Sequence, residues 1–100
     1  MINHIVMIKL KPFSGKVEKQ EKAQEIIKKL EALPGKIEAI KFYEVGSNII
    51  ESERASDIAI ISKFDSLNDL EIYRVHPEHQ KVVKLIGEYA EKVTAVDYES

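Results

Sequence analysis

The chain contains no cysteine and no tryptophan, and its 100 residues include only four glycines and three prolines. Without cysteine there are no disulfide staples, thiolate nucleophiles or thiolate metal ligands. The glycines never gather into a phosphate-cradling loop. Charge of one sign is also lacking: 15 basic against 17 acidic residues leave a formal charge of -2, with the two signs interleaved. A nucleic acid or an anionic membrane calls for a concentrated basic face, so neither is an expected partner. No apolar run approaches the roughly 20 residues of a membrane span. Met1 leads through Asn3 and His4 into a short apolar stretch with no signal-peptide layout, and a cytoplasmic location is expected.

What is present suits one folded domain over residues 1–100. A hydrophobic fraction of 44% beside 32% charged residues fits a packed core and rules against disorder. Residues 2–10 alternate, with His4, Val6, Ile8 and Leu10 on one face and Ile5 and Met7 on the other, which predicts a first strand. Lys11-Pro12-Phe13-Ser14-Gly15 breaks it. From about Lys16, the stripe Ala23, Ile26, Ile27, Leu30 and Leu33 predicts an amphipathic helix, closed by Leu33-Pro34-Gly35 with glycine taking a left-handed exit. A second strand is expected from about Ile37 to Val45 and a third over 57–64. Ser66 with Asp69 three residues later marks a helix start. His76 precedes Pro77 and is biased away from helical geometry, whereas Pro77 suits the first turn of a new helix. Val82, Val83, Ile86, Tyr89 and Ala90 give that helix an apolar side, and Val93–Tyr98 reads as the last strand.

The order β-α-β-β-α-β predicts a ferredoxin-like α+β sandwich with helices on one sheet face. Strand three carries Ile58, Ile60 and Phe64 on one face and Ala59 and Ile61 on the other, and strand one is equally two-sided. Helices cover one face only, so the other is expected to pack against a second copy, giving a homodimer.

Candidate chemistry gathers in Tyr73-Arg74-Val75-His76-Pro77-Glu78-His79, which holds two of the three histidines. Imidazole and phenol are suited to moving protons near neutral pH. His79 falls in the first turn of the helix opened by Pro77, where the macrodipole disfavours imidazolium and adjacent Glu78 opposes that effect. If the His4 face of strand one looks toward the helices, His4, Tyr73 and His79 meet at one end of an apolar pocket, as catalytic or ligand-binding groups. A plainer reading stands beside this one: a tyrosine and histidines at a helix junction satisfy buried polar groups, with His76 as a helix cap and His4 as a hydrogen-bonded core residue. His76 and His79 have a spacing some metal sites use, but Pro77 interrupts the helix and no carboxylate presents itself as a third ligand. No metal and no cofactor is expected. Asp65 and Asp69 form no catalytic carboxylate pair.

These residues resemble the His-Pro-x-His stretch of the stress-responsive A/B-barrel (Dabb) family. The likeness runs from His4-Ile5-Val6 through Phe42-Tyr43-Glu44-Val45-Gly46 and Ser56-Asp57-Ile58-Ala59 to Val96-Asp97-Tyr98, nearly the whole chain. It implies a dimeric α+β barrel and a stress-related setting. Plant polyketide cyclases of the olivetolic acid type are enzymatic members that resemble this chain at Tyr73 and His79, and they imply a histidine base supported by a tyrosine. At two of their polar positions this chain has Ile26 and Ile58. The expected function is that of a small homodimer whose apolar cavity binds a small hydrophobic metabolite; the alternatives are a cofactor-free cyclase or isomerase using His79 and Tyr73, and a purely structural or assembly role.

Overall fold

Alternating side chains over the first ten residues form β1 (Ile2–Leu10), the second strand from one edge of a four-stranded antiparallel sheet. The computed structural model describes residues 1–100. After β1 come α1 (Lys16–Glu31), a 3-10 turn (Leu33–Gly35), β2 (Phe42–Ser47), β3 (Ile58–Phe64), α2 (Leu67–Val75), α3 (Pro77–Tyr89) and β4 (Ala90–Glu99). The strand order is β2-β3-β1-β4, the ferredoxin-like α+β fold that the element pattern predicts. In register, Ile2 faces Phe64, His4 faces Ser62 and Ile8 faces Ile58 across β3, while His4 meets Asp97 and Ile8 meets Val93 across β4.

The helices lie on one face of this sheet. Ala23, Ile26, Ile27 and Leu30 of α1 are buried there with Leu33, against Ile2, Ile8, Leu10, Ile58, Ile60 and Phe64. This is the expected stripe, spaced so that one side of the helix turns inward. At the start of α1, the Glu18 carboxylate accepts from the Ser14 amide (2.8 Å) and hydroxyl (2.9 Å), tying the loop before Gly15 to the first turn of the helix. Lys28 and Lys29 sit in its last turn, where they complement the negative end of the helix.

Several boundaries differ from the sequence reading, each for a local reason. The second strand starts at Phe42 and not near Ile37, because the Lys36 and Ile37 amides both donate to the Leu33 carbonyl, at 2.9 and 3.0 Å. That segment winds as turns, with Ile37 only 2% exposed and serving as a core anchor. Gly35 does not exit left-handed; the 3-10 turn continues a right-handed path, and the positive φ angles belong to Phe13 (52°) and Gly15 (134°). The last strand is longer than Val93–Tyr98, since α3 passes into β4 at Ala90 with no turn residue between them. Val83 is exposed, because Val82, Ile86 and Tyr89 define the inward side of α3 and Val83 lies a third of a turn away.

Two surfaces stay uncovered. On the helix-free face, Ile5 and Ile61 are half-buried while Met7, Ala59, Val96, Tyr98 and Phe42 are exposed, an apolar field broken by Glu44, Lys63 and Thr94. On the opposite face the helical layer stops short of β4, leaving Val93, Ala95 and Asp97 exposed beside β1.

Ser66 caps α2 as the sequence indicates, its hydroxyl accepting from the Asp69 amide at 3.1 Å. Ser66→Ala is expected to cost about 1 kcal/mol, a fall of roughly 4–8 °C in Tm, whereas Ser66→Asp keeps an acceptor and stays near wild type. Thermal melts of both variants check this, and an unchanged Ser66→Ala melt contradicts it.

Candidate functional site

Because β1 is held in register between β3 and β4, every second side chain from Ile2 to Leu10 points toward the helices, and His4 is one of them. Asp97 is its cross-strand neighbour on β4, and its carboxylate accepts a hydrogen bond from His4 Nδ1. Ser62 is the neighbour on β3; it is fully buried and its hydroxyl donates to the His4 carbonyl oxygen at 3.2 Å. With Nδ1–H engaged by the carboxylate, the unprotonated nitrogen of a neutral His4 is Nε2.

Tyr73, at 2% exposed, is the centre of the cluster. It projects from α2 onto the sheet and touches aromatic rings from four other elements. Phe64 of β3 lies at 5.1 Å between ring centroids, and His4 and Tyr43 each stand edge-on at 6.2 Å. His79 of α3 stacks at 4.1 Å with the planes inclined by 34°. The Tyr73 hydroxyl shares a 2.9 Å hydrogen bond with the Tyr43 hydroxyl. Burial raises both phenols: Tyr43 goes well above its ordinary value, with the neighbouring Tyr73 adding to the effect, while for Tyr73 the hydrogen bond with Tyr43 opposes the rise. Both therefore stay protonated at any physiological pH. One O–H is used between them and the second is free to donate elsewhere.

His79 is half-buried, and its Nδ1 lies 3.2 Å from the Arg74 carbonyl oxygen. A carbonyl only accepts, so Nδ1 carries the proton and Nε2 holds the lone pair. Burial lowers the His79 pKa from 6.5; the bond to Arg74 opposes the shift, and the charges of His4, Arg74 and His76 reinforce it. At neutral pH the site thus presents a neutral imidazole with a free basic nitrogen beside a protonated phenol, and a second imidazole held by a carboxylate. Such a set can hydrogen-bond a carbonyl or hydroxyl group and can accept a proton from it.

The three sequence candidates His4, Tyr73 and His79 stand together around one ring. His76 lies outside that contact and caps α3, its Nδ1 accepting from the Glu78 amide at 3.1 Å. Sequence reasoning did not single out Tyr43 or Asp97 for the site. A period-two reading of β2 and β4 places Tyr43 beside Val45 and Asp97 beside Ala95 on the helix-facing side, but only cross-strand register joins residues this far apart. No three His, Asp or Glu side chains converge as a metal-binding group. Two surface recesses lie elsewhere and are lined mainly by polar side chains. One, of about 640 Å³, separates the first half of α1 from the β2–β3 loop, and one of about 850 Å³ lies between α1 and α3. Neither touches the Tyr73 cluster.

Unfolding returns His79 to the ordinary imidazole value of 6.5. Below that pH the unfolded chain binds more protons than the folded one, so stability falls as acid is added, and above it His79 contributes no slope. His79→Phe keeps an aromatic ring on Tyr73 and removes the titration. Urea midpoints between about pH 7.5 and pH 5 are expected to fall less steeply for this variant than for wild type; parallel profiles would show that His79 plays no part in the acid sensitivity.

An uncharacterized protein of Streptomyces coelicolor is 39% identical over 99 residues, 99% of each chain. A crystal structure from Bacteroides fragilis, described as a dimeric protein of unknown function with a ferredoxin-like fold, superposes with a TM-score of 0.88 at 37% identity, covering 99% of this chain and 95% of that one. The hydroxynitrile lyase of Passiflora edulis shares the fold at a TM-score of 0.81 and 20% identity, over 97% of this chain and 90% of its own. The model of the Stress Responsive A/B Barrel Domain matches residues 2–100. This chain therefore belongs to the stress-responsive A/B barrel, or Dabb, family.

Proposed function

We propose that the protein is a homodimer that binds a small, largely hydrophobic molecule carrying a carbonyl or hydroxyl group. The observation that carries this reading is the open side of β4. Val93 and Ala95 offer apolar contact there, on the same face as half-buried Val6, and the strip leads to His4–Asp97 and to His79 on Tyr73. An apolar body would lie on the strip and a single polar end would meet the imidazoles, the arrangement common to small-molecule sites. The stress setting comes from the family's name alone.

The dimer follows from the other face. Ile61, Met7, Val96 and Tyr98 form an apolar field that a second sheet can bury, and the similar Bacteroides fragilis protein is described as dimeric. Ile61 points away from the helices, between Ile5 on β1 and Glu44 on β2. Ile61→Asp would place an unpaired charge in that interface and is expected to give monomers or unfolded chains. Sedimentation at micromolar concentration reads the outcome, and a stable wild-type monomer removes the dimer from the proposal.

A second reading, a cofactor-free cyclase or isomerase, is favoured by the protonation states. His79 Nε2 holds the lone pair, since Nδ1 donates to the Arg74 carbonyl, and the Tyr73–Tyr43 pair has a proton to donate. His79 would take a proton from a carbon flanked by carbonyls while the phenol supports the developing oxyanion. Ile26 and Ile58, at the two positions where the plant cyclases are polar, are buried in the core, so they would give a polyketide no polar handle. The likeness to the hydroxynitrile lyase adds only the fold.

An aromatic ketone, 2,4-dihydroxyacetophenone, serves as the probe for both readings. It is expected to perturb the NMR signals of His79, Tyr73 and Val93. His79→Ala is expected to weaken its affinity at least tenfold while costing stability only about 1 kcal/mol. A large loss of stability with unchanged affinity leaves His79 a structural residue only. Exchange of the probe's methyl protons with solvent deuterium, dependent on His79, would favour the enzymatic reading over simple binding.

A further inference from the structure

The α2–α3 corner is a single residue. His76 is both the last cap of α2 and the first cap of α3, with an extended backbone at φ -63° and ψ 133°. Its amide donates to the Tyr73 carbonyl at 3.2 Å, and its carbonyl accepts from the Gln80 amide at 2.9 Å. Its Nδ1 accepts from the Glu78 amide at 3.1 Å. Pro77 has no N–H, so Glu78 supplies the first free donor of α3. This corner sets how α3 leaves α2, and so how His79 lies over Tyr73.

Helix caps are usually Ser, Thr, Asp or Asn. A histidine makes the same bond with one difference: its acceptor is a basic nitrogen. The Nδ1 lone pair that receives the Glu78 amide is the same lone pair that a proton takes when an imidazole becomes imidazolium. We infer that His76 is a proton-sensitive positioning residue, whose neutral Nδ1 holds the α2–α3 corner and the Tyr73–His79 stack, and whose protonation releases them.

The groups around the corner favour release. On α2, Arg74 is paired with Glu71 at 2.7 Å and its carbonyl holds His79. On α3, Glu78 is shared by Lys81 at 3.5 Å and by Lys36, which follows the 3-10 turn, at 3.8 Å. From the sheet, His4 of β1 stands against Tyr73 with Asp97 of β4 bound to it, and Tyr43 of β2 completes the ring cluster. A new charge on His76 would meet the positive end of α3, with Arg74 and His79 close by. Of the carboxylates around the corner, Glu71 is engaged by Arg74, Asp97 by His4, and Glu78 by two lysines. The stack itself is independent of any ligand; only the consequence for binding rests on the site proposed above.

The test follows the Tyr73 ring and Glu78 amide signals of the intact protein by NMR from pH 7.5 to pH 5. His79→Phe serves as the background, so that the stacked ring does not itself titrate. Both signals are expected to move in a step that coincides with the imidazole titration of His76. His76→Asn, a cap that does not titrate, is expected to keep the neutral-pH positions and abolish the step. His76→Ser provides the same comparison if the asparagine variant folds poorly. Movement that tracks only His4, or a step that survives in these variants, overturns the inference, as does a Tyr73 signal that stays fixed while His76 titrates. In the otherwise wild-type protein, with His79 present, affinity for 2,4-dihydroxyacetophenone should fall by about fivefold more on acidification than in His76→Asn, the effect of one lost cap. If the ketone binds at no pH, the proposed site fails, while the ring signals still decide the role of His76.

Discussion

The register of β1 is the constraint on which the rest of the molecule depends. This strand pairs on both sides, with β3 and with β4, and its side chains alternate between a face packed by helices and a face left bare. A slip of one residue would turn Ile2, Ile8 and Leu10 away from α1 and replace them with Asn3, Met7 and Lys9. The loss of apolar burial makes that slip prohibitive. His4 is carried inward by the same alternation, although its own side chain would not select that face. The imidazole therefore occupies its place because the isoleucines around it must be buried.

Once inside, the polar groups are compatible with the core because they satisfy one another. No buried side-chain nitrogen or oxygen lacks a hydrogen-bond partner. Tyr43 and Tyr73 share a hydrogen bond between strand and helix, the Asp97 carboxylate accepts from His4, and Ser62 donates to the His4 carbonyl. Burial still leaves its mark, since it is the largest influence on His79 and both tyrosines, and in each case it favours the uncharged form. Tyr43, Tyr73 and His79 thus present neutral donors and acceptors beside an apolar layer, a set compatible with the proposed ligand whose polarity lies in one carbonyl or hydroxyl group.

The single helical layer leaves two kinds of open sheet, and they differ in character. The helix-free face is broad and apolar at its centre, with Lys63 lying over Phe42 toward one side, as expected of a surface that meets another sheet. The helix-side strip of β4 is narrow and ends in Asp97 and His4, so its chemistry is uneven along its length. The first is the face proposed for a second copy of the chain, and the second is the one proposed for a small molecule. The same four strands can carry both because alternation sends neighbouring residues to opposite sides.

Much of this is legible in the sequence where the determinant is local. The α1 stripe from Ala23 to Leu33, the Ser66 cap, the extended His76 before Pro77 and the two-sided strands all follow from short-range periodicity and backbone restriction. So does the family, whose motifs lie in order along the chain. Local rules fail where hydrogen bonds are redirected: Ile37 resembles a strand residue until the Leu33 carbonyl captures its amide, and β4 begins early because no breaker stands at Ala90. The ring cluster required that His4, Tyr43, Tyr73, His79 and Asp97 converge from five separate elements. Tyr73 and His79 are close in sequence, but Tyr43 and Asp97 reach them only through the pairing of β2 with β3 and of β1 with β4. The sequence by itself determined which elements form and which faces are apolar, since those depend on neighbours within a few residues. Tertiary structure alone decided which polar groups meet and which protons they hold, because both depend on strand register and on burial summed over the whole fold.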